Sequence, residues 1–381
     1  MMPFIRSFKK MQVFEVMRPL SSQSGIGLIE LLVSMLIGLF VMAGVIQMFA
    51  TTTQNAVAAS GSSRIQENIR YAFARMREDI SQSGNLGCYN TPFINKNLID
   101  LDEDGDGSVK NMLGFNAGSG EFFDFTTFIF GSESSTASTF PAGNVTTGTD
   151  TISVRYVSHL SRFDITETVS SGSNQLTVDA THTDYPTLDQ FQIVVASNCN
   201  ITNIFMITND PETSGGVLEF KPNVISTGLN NGQFNKAGGF KDKYIHNRIG
   251  GRDISAIPYL YAGRTGAYQY FIGDSSSATG TCHTTDRPEN CSLYRRANAF
   301  NQELVKGVHD MQVEYGWTND AGDLTFADAT TVAAQDAWLL VDRVNVSLSF
   351  NSIDNVVSKG NKVSDLLQRE ISQTFNLPNQ L

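Results

Sequence analysis

Between Ile26 and Ala50 the chain holds 25 residues with a single charge, Glu30, in an otherwise apolar run. A helix of that length, rising about 1.5 Å per residue, crosses a hydrocarbon core of roughly 30 Å. Residues 51–63 are mostly Thr, Ser, Ala, Asn and Gly, too polar to remain in lipid. From Arg64 a second pattern begins. Ile65, Ile69, Phe73, Met76 and Ile80 recur at every third or fourth position, with Arg64, Glu67, Arg70, Arg75, Arg77 and Glu78 between them. The two patterns predict one long helix over 26–83, membrane-embedded over 26–50 and amphipathic beyond, ending at Ser83-Gly84-Asn85. No proline interrupts it. Gly38, Gly44 and Gly61 are either weak points or places for close helix packing.

Past Asn85 the chain turns to short apolar segments set among Gly, Ser, Thr and Asn, which predicts strands and turns. Strands are expected at 151–157, 175–178, 191–196, 203–208, 216–220 and 268–272, and a loop over the Gly- and Asn-rich 230–253. Two later segments are cleaner. Val308, Met311, Val313 and Tyr315 nearly alternate with polar residues, and Val344, Val346, Leu348 and Phe350 alternate with Asn345, Ser347 and Ser349, as strands with one buried face do. The fold class expected is α+β: a long N-terminal helix carrying a β-sheet-rich globular head over 84–381, without internal repeat.

Composition fits a large packed head. The chain has 381 residues, 41% hydrophobic, with 25 Phe. Its formal net charge of −11 becomes −14 without residues 1–25, which argues against a broad phosphate-binding surface, so no direct nucleic acid is expected as a partner. The five His are dispersed, and neither a nucleophile elbow nor a phosphate-binding glycine loop is present, so no enzymatic activity is expected. In an exported head the four cysteines favour two disulfides. The short polar stretch between Cys282 and Cys291 favours that pair and leaves Cys88 with Cys199. Zinc is the alternative, although no Cys-x-x-Cys spacing occurs.

The acidic stretch Asp100-Leu101-Asp102-Glu103-Asp104-Gly105-Asp106 has oxygen ligands at alternate positions. Asp100, Asp102 and Asp104, with the Asp106 carbonyl, match the first half of a calcium loop. Asn111 stands where a helix-loop-helix calcium site has its bidentate Glu, so the choice lies between a calcium ion held by a loop of another type and a solvated acidic turn.

The start of the apolar run carries the most specific signal. Arg6, Lys9, Lys10 and Arg18 oppose one acidic residue, Glu15, in residues 1–25, a flank that stays cytoplasmic and sends the following chain outward. The small residue Gly25 precedes the apolar segment, where a secretory signal would have it afterwards, so cleavage there would leave the helix on the mature chain. A carboxylate in a membrane segment costs on the order of 2.5–3.5 kcal/mol at the centre and less near an end, and Glu30 invites a functional reason. This arrangement resembles the type IV prepilin class. The resemblance implies a leader over 1–25, removed by a prepilin peptidase after Gly25, methylation of the new amine at Ile26, and a role for Glu30 in filament packing. There its buried carboxylate would pair with a neighbouring subunit's N-terminal amine. The plain alternative is an uncleaved signal anchor.

Within that class, Glu303-Leu304-Val305-Lys306-Gly307-Val308-His309-Asp310-Met311-Gln312-Val313-Glu314-Tyr315-Gly316 and the later Val341–Leu348 are similar to stretches of the PilW family of minor pilins. Gly87 and Cys88, just past the helix, match a Gly-Cys pair there, whereas His309 departs from an expected acidic residue. The resemblance implies a minor pilin that primes type IV pilus assembly and forms part of a tip complex, supporting twitching motility, adhesion and DNA uptake. Its implied partners are other minor pilins, a PilY-type tip adhesin, the major pilin and the inner membrane, with the head periplasmic before assembly and at the pilus tip after it. The nearest rival is the large minor pseudopilin of a type II secretion system, and a third class is a direct surface or DNA receptor.

Overall fold

A computed structural model describes residues 27–87, 109–115, 127–133, 145–157, 161–167, 173–197, 202–227, 233–239, 247–249, 252–254, 259–262, 265–277, 280–297, 300–318, 322–352 and 366–378. By their contacts the residues divide into Met1–Asn55 and Ala56–Leu381. Helix α1 runs from Leu28 to Ile80, without a break at Gly38, Gly44 or Gly61. It stops three residues before the position expected from sequence. The Ser83 amide bonds to the Ile80 carbonyl, and Gly84 takes φ 76°, a left-handed conformation that closes helices.

Within Ala56–Leu381 the helix buries Ile65, Ala72, Phe73, Met76, Asp79 and Ile80, one stripe of a 3.6-residue period. Each large apolar side chain so buried contributes about 1.5–3 kcal/mol of transfer free energy. The stripe packs on the first of two sheets that share its core. That sheet has strand order β16(300–306), β15(291–297), β14(265–274), β4(151–157), β3(129–132), all antiparallel. Ile152, Val154 and Tyr156 of β4 and Tyr268, Tyr270 and Ile272 of β14 face the helix side, as period-two alternation requires. The second sheet is β18(324–327), β17(308–318), β19(343–351), β20(368–376), also antiparallel. Its inner face supplies Met311, Val313, Tyr315, Val344, Val346 and Leu348 to the same core, and Phe375 stands 6.2 Å from Phe73 ring to ring.

A third sheet, β1(109–111), β8(202–206), β7(193–197), β13(259–262), β5(161–164), builds two further clusters. One of these joins Ile193, Val195 and Ile204 to Leu86 just after the helix. Two-stranded ribbons pair β2(113–115) with β10(233–235), β6(175–177) with β9(217–219), and β11(247–249) with β12(252–254). The loop expected over 230–253 is therefore corrected: its described residues hold β10, β11 and β12, each three residues long, too short for an alternation to register. The strands expected at 151–157, 308–315 and 344–350 lie in β4, β17 and β19.

The near-alternation at 308–315 has a specific cause. Register between β17 and β19 shifts between Val308 and Asp310, so both Val308 and His309 are buried before Met311, Val313 and Tyr315 resume the inward parity. Directly before it, Gly307 carries the chain from β16 in the first sheet to β17 in the second, with φ 76°. Its amide donates to the Cys291 carbonyl at 2.9 Å and its carbonyl accepts from the Asn351 amide at 2.7 Å. A Cβ there would sit 2.5 Å from the Asn351 carbonyl oxygen.

Gly307→Ala therefore meets backbone on one side and left-handed strain on the other. It is expected to destabilise the protein by about 1–3 kcal/mol, read as a lowered midpoint in denaturant unfolding. A midpoint equal to wild type would remove the corner role.

Candidate assembly site

The first part of α1 leaves its apolar side chains exposed. Among the described residues, sixteen of the exposed large hydrophobic side chains lie between Leu28 and Phe49 and six elsewhere. Leu28 is 81% exposed and Met48 74%, a contiguous apolar surface of the kind that marks lipid or another helix as its environment. The polar end of this run is built for such a setting. Thr51, Thr52 and Thr53 each donate the hydroxyl to the carbonyl four residues back, at 2.9, 2.8 and 2.9 Å, and Ser34 does the same to Glu30. Hydroxyls satisfied within the helix need no water.

Glu30 lies in the first turn of α1. The helix start carries unsatisfied N–H groups and the positive end of the macrodipole, so an acidic residue is favourable there. No described residue of the same chain pairs with it.

At the other end of α1 a carboxylate is fully buried. Asp79 has no exposure, and Arg295 of β15 grips it with two bonds, Nε to Oδ2 at 2.5 Å and Nη2 to Oδ1 at 3.0 Å. Tyr156 of β4 donates to Oδ1 at 2.7 Å, and Tyr270 of β14 to Oδ2 at 2.5 Å. The Arg295 guanidinium lies 3.6 Å from the centre of the Tyr268 ring. One carboxylate thus bonds three adjacent strands of the first sheet to the helix. Burial and then the Asp79 charge push both tyrosine hydroxyls well above the usual phenol range, so both remain donors. Burial alone would lower Arg295, but the bonds and charge of Asp79 outweigh it and raise it. Sequence reading missed this clamp. The available signal was position: Asp79 falls three residues after Met76 and directly before Ile80, on the apolar stripe.

The other positions singled out from sequence are partly visible. Gly25 and Ile26 lie outside the described residues, as do Asp100, Asp102, Asp104 and Asp106, Cys88 and Cys199. Cys282 and Cys291 form a disulfide, which leaves neither to ligate zinc. The disulfide closes the connection from β14 to β15. Beside it Glu303 of β16 accepts from Ser275 Oγ at 2.8 Å, Ser292 Oγ at 2.7 Å, and both the amide and hydroxyl of Ser276. Burial would raise Glu303, but these bonds prevail and hold it below the usual glutamate range.

The family model PilW, described as Type IV Pilus-assembly protein W, matches residues 269–376. The match begins in β14, includes Arg295, the disulfide partner Cys291, Glu303 and the Gly307 corner, and ends with β20. It covers the whole second sheet and less than a third of the chain. No curated protein matches the chain.

Removing one partner of a buried ion pair leaves the other charge stranded, typically at a cost of about 3–5 kcal/mol. Arg295→Ala is expected to destabilise by that order, whereas Glu78→Ala, on the exposed side of the same helix turn, should change stability by less than about 1 kcal/mol. Denaturant unfolding compares them, and equal losses would show that the clamp contributes nothing special.

Proposed function

We propose that this chain, a PilW-family type IV pilus protein by the match of its carboxyl-terminal strands, works as a minor pilin. In this reading it primes pilus assembly, forms part of the tip complex, and through it supports twitching motility and adhesion, with DNA uptake as a further consequence. The observation that carries it is the presence, in one chain, of an exposed apolar helix with an acidic first turn and a PilW-matched sheet. The helix supplies lateral contact with other subunits, and Glu30 supplies register by meeting a neighbour's N-terminal amine where water is excluded. Gly25 and Ile26 are assigned to processing by a prepilin peptidase. Partner choice falls to the head, whose edge strands β16 and β18 expose Phe300, Leu324 and Phe326. Other minor pilins and a PilY-type tip adhesin are the partners proposed, with the major pilin beneath them. The mechanism is assembly without turnover, and calcium at the Asp100–Asp106 loop would be structural.

The test separates insertion from assembly. Glu30→Leu is expected to reach the membrane fraction at wild-type level while its amount in sheared pili falls at least tenfold. Twitching is expected to fall with it. Wild-type amounts of the variant in pili would remove Glu30 from the mechanism, and intact twitching with failed protein secretion would place the chain in a secretion system.

A further inference from the structure

The corner that joins the two sheets carries a titratable side chain. His309 stands in the register shift between β17 and β19 and is only 8% exposed. Its Nδ1 lies 3.0 Å from Oδ1 of Asn351, the last residue of β19 and itself buried. Asn351 Nδ2 donates to the Ser352 carbonyl at 3.1 Å, which leaves Oδ1 as the acceptor. This assigns the tautomer of the neutral ring: the proton is on Nδ1, donated to Asn351, and Nε2 is the bare nitrogen.

The partner of His309 is also a tie of the corner itself. The Asn351 amide donates to the Gly307 carbonyl at 2.7 Å, and the Gly307 amide donates to the Cys291 carbonyl of β15. The next residue, Ser352, exchanges two bonds with Leu367 just before β20: its amide donates to the Leu367 carbonyl at 2.8 Å, and its hydroxyl accepts from the Leu367 amide at 3.1 Å. One path of hydrogen bonds therefore runs from His309 through Asn351 to the sheet corner on one side and to the start of β20 on the other.

We propose that His309 is an acid-sensitive pin of this corner: neutral, it holds Asn351 in place, and on taking a second proton at Nε2 it becomes a buried cation that drives the corner open towards water. The surroundings offer that cation little. Asp310, next in the strand and half-buried, is the carboxylate that acts on the ring. From β19 the facing group is Asn351, which is uncharged. From β16, Lys306 turns its Nζ to Ser277 Oγ at 2.8 Å, and α1 reaches the Lys306 carbonyl through the uncharged Asn68. On β20, Arg369 opposite Phe350 is exposed. Cys291 is held in the disulfide and does not titrate.

The direction follows from linkage. Burial lowers His309 below the ordinary histidine value and outweighs the Asn351 bond and the Asp310 charge, which both raise it. The unfolded chain then takes up its proton at a higher pH than the folded one. Stability from this site is complete above the ordinary histidine value and is lost as pH falls from there to the lowered value.

The test uses the full chain in detergent. Hydrogen exchange at the Gly307 and Asn351 amides, corrected for the intrinsic effect of pH, is expected to show protection in wild type falling by about threefold or more from about pH 8 to about pH 5. His309→Asn keeps a donor where Nδ1 stood and cannot gain a charge, so its protection is expected to stay level over that range. His283→Asn, at an exposed site, should keep the wild-type fall. Level protection in wild type, or the wild-type fall retained in His309→Asn, would overturn the pin. Should His309→Asn fail to fold, a wild-type chain isotopically labelled at its five histidines decides by nuclear magnetic resonance. At least one imidazole is expected to stay neutral to below the ordinary histidine value, and titration of all five at or above that value would overturn the proposal.

Discussion

Asp79 brings a negative charge among Met76, Ile80, Ile152 and Tyr270, where an unpaired carboxylate would cost several kcal/mol. Its position is tolerated because β4, β14 and β15 each deliver a donor to it, and those donors converge only when the three strands are in register. The apolar stripe from Ile65 to Ile80 supplies most of the contact area, but apolar contact is non-directional. The two-bond guanidinium and two phenols add direction, fixing how the helix lies on the first sheet. The chain leaving the helix is secured nearby. The Gly84 amide bonds to the Arg155 carbonyl, the Val157 amide bonds to the Asn85 carbonyl, and Ser83 Oγ donates to Phe128.

The same helix carries two compositions along its length. Its first part is apolar on all sides, folds its threonine hydroxyls onto its own backbone, and keeps one acid in its first turn. Its second part is striped, with charges outside and one buried acid inside. Under the proposed function, that division suits a subunit that exchanges lipid for neighbouring helices while its globular region stays folded. The PilW match falls on the carboxyl-terminal strands of this region, including the arginine that grips Asp79.

Much of the fold was legible because burial on one face leaves a period in the sequence. β4 and β19 were visible as strands, and the imperfect alternation at 308–315 was itself a trace of the shift at His309. The elements missed are those whose surroundings remove the period. β16 and β20 are edge strands, with the start of β16 and most of β20 exposed, and β15 buries Arg295 and Arg296 where an apolar residue would have marked it. The clamp escaped for a related reason: sequence shows a charge on an apolar stripe but not the partner, 216 residues away, that neutralises it. At the N-terminal end the reverse holds. Under the proposed function, the spacing of Gly25, Ile26 and Glu30 would carry more than the helix itself, since Glu30 would meet a neighbouring subunit that a single chain does not contain.

If this chain is a subunit of a pilus-assembly complex, its partners should be captured with it. The full chain, tagged at the carboxyl end and purified from membranes in mild detergent, is predicted to bring down several other minor pilins in defined proportion. Recovery of the folded chain alone, from cells that are assembling pili, would exclude it from such a complex.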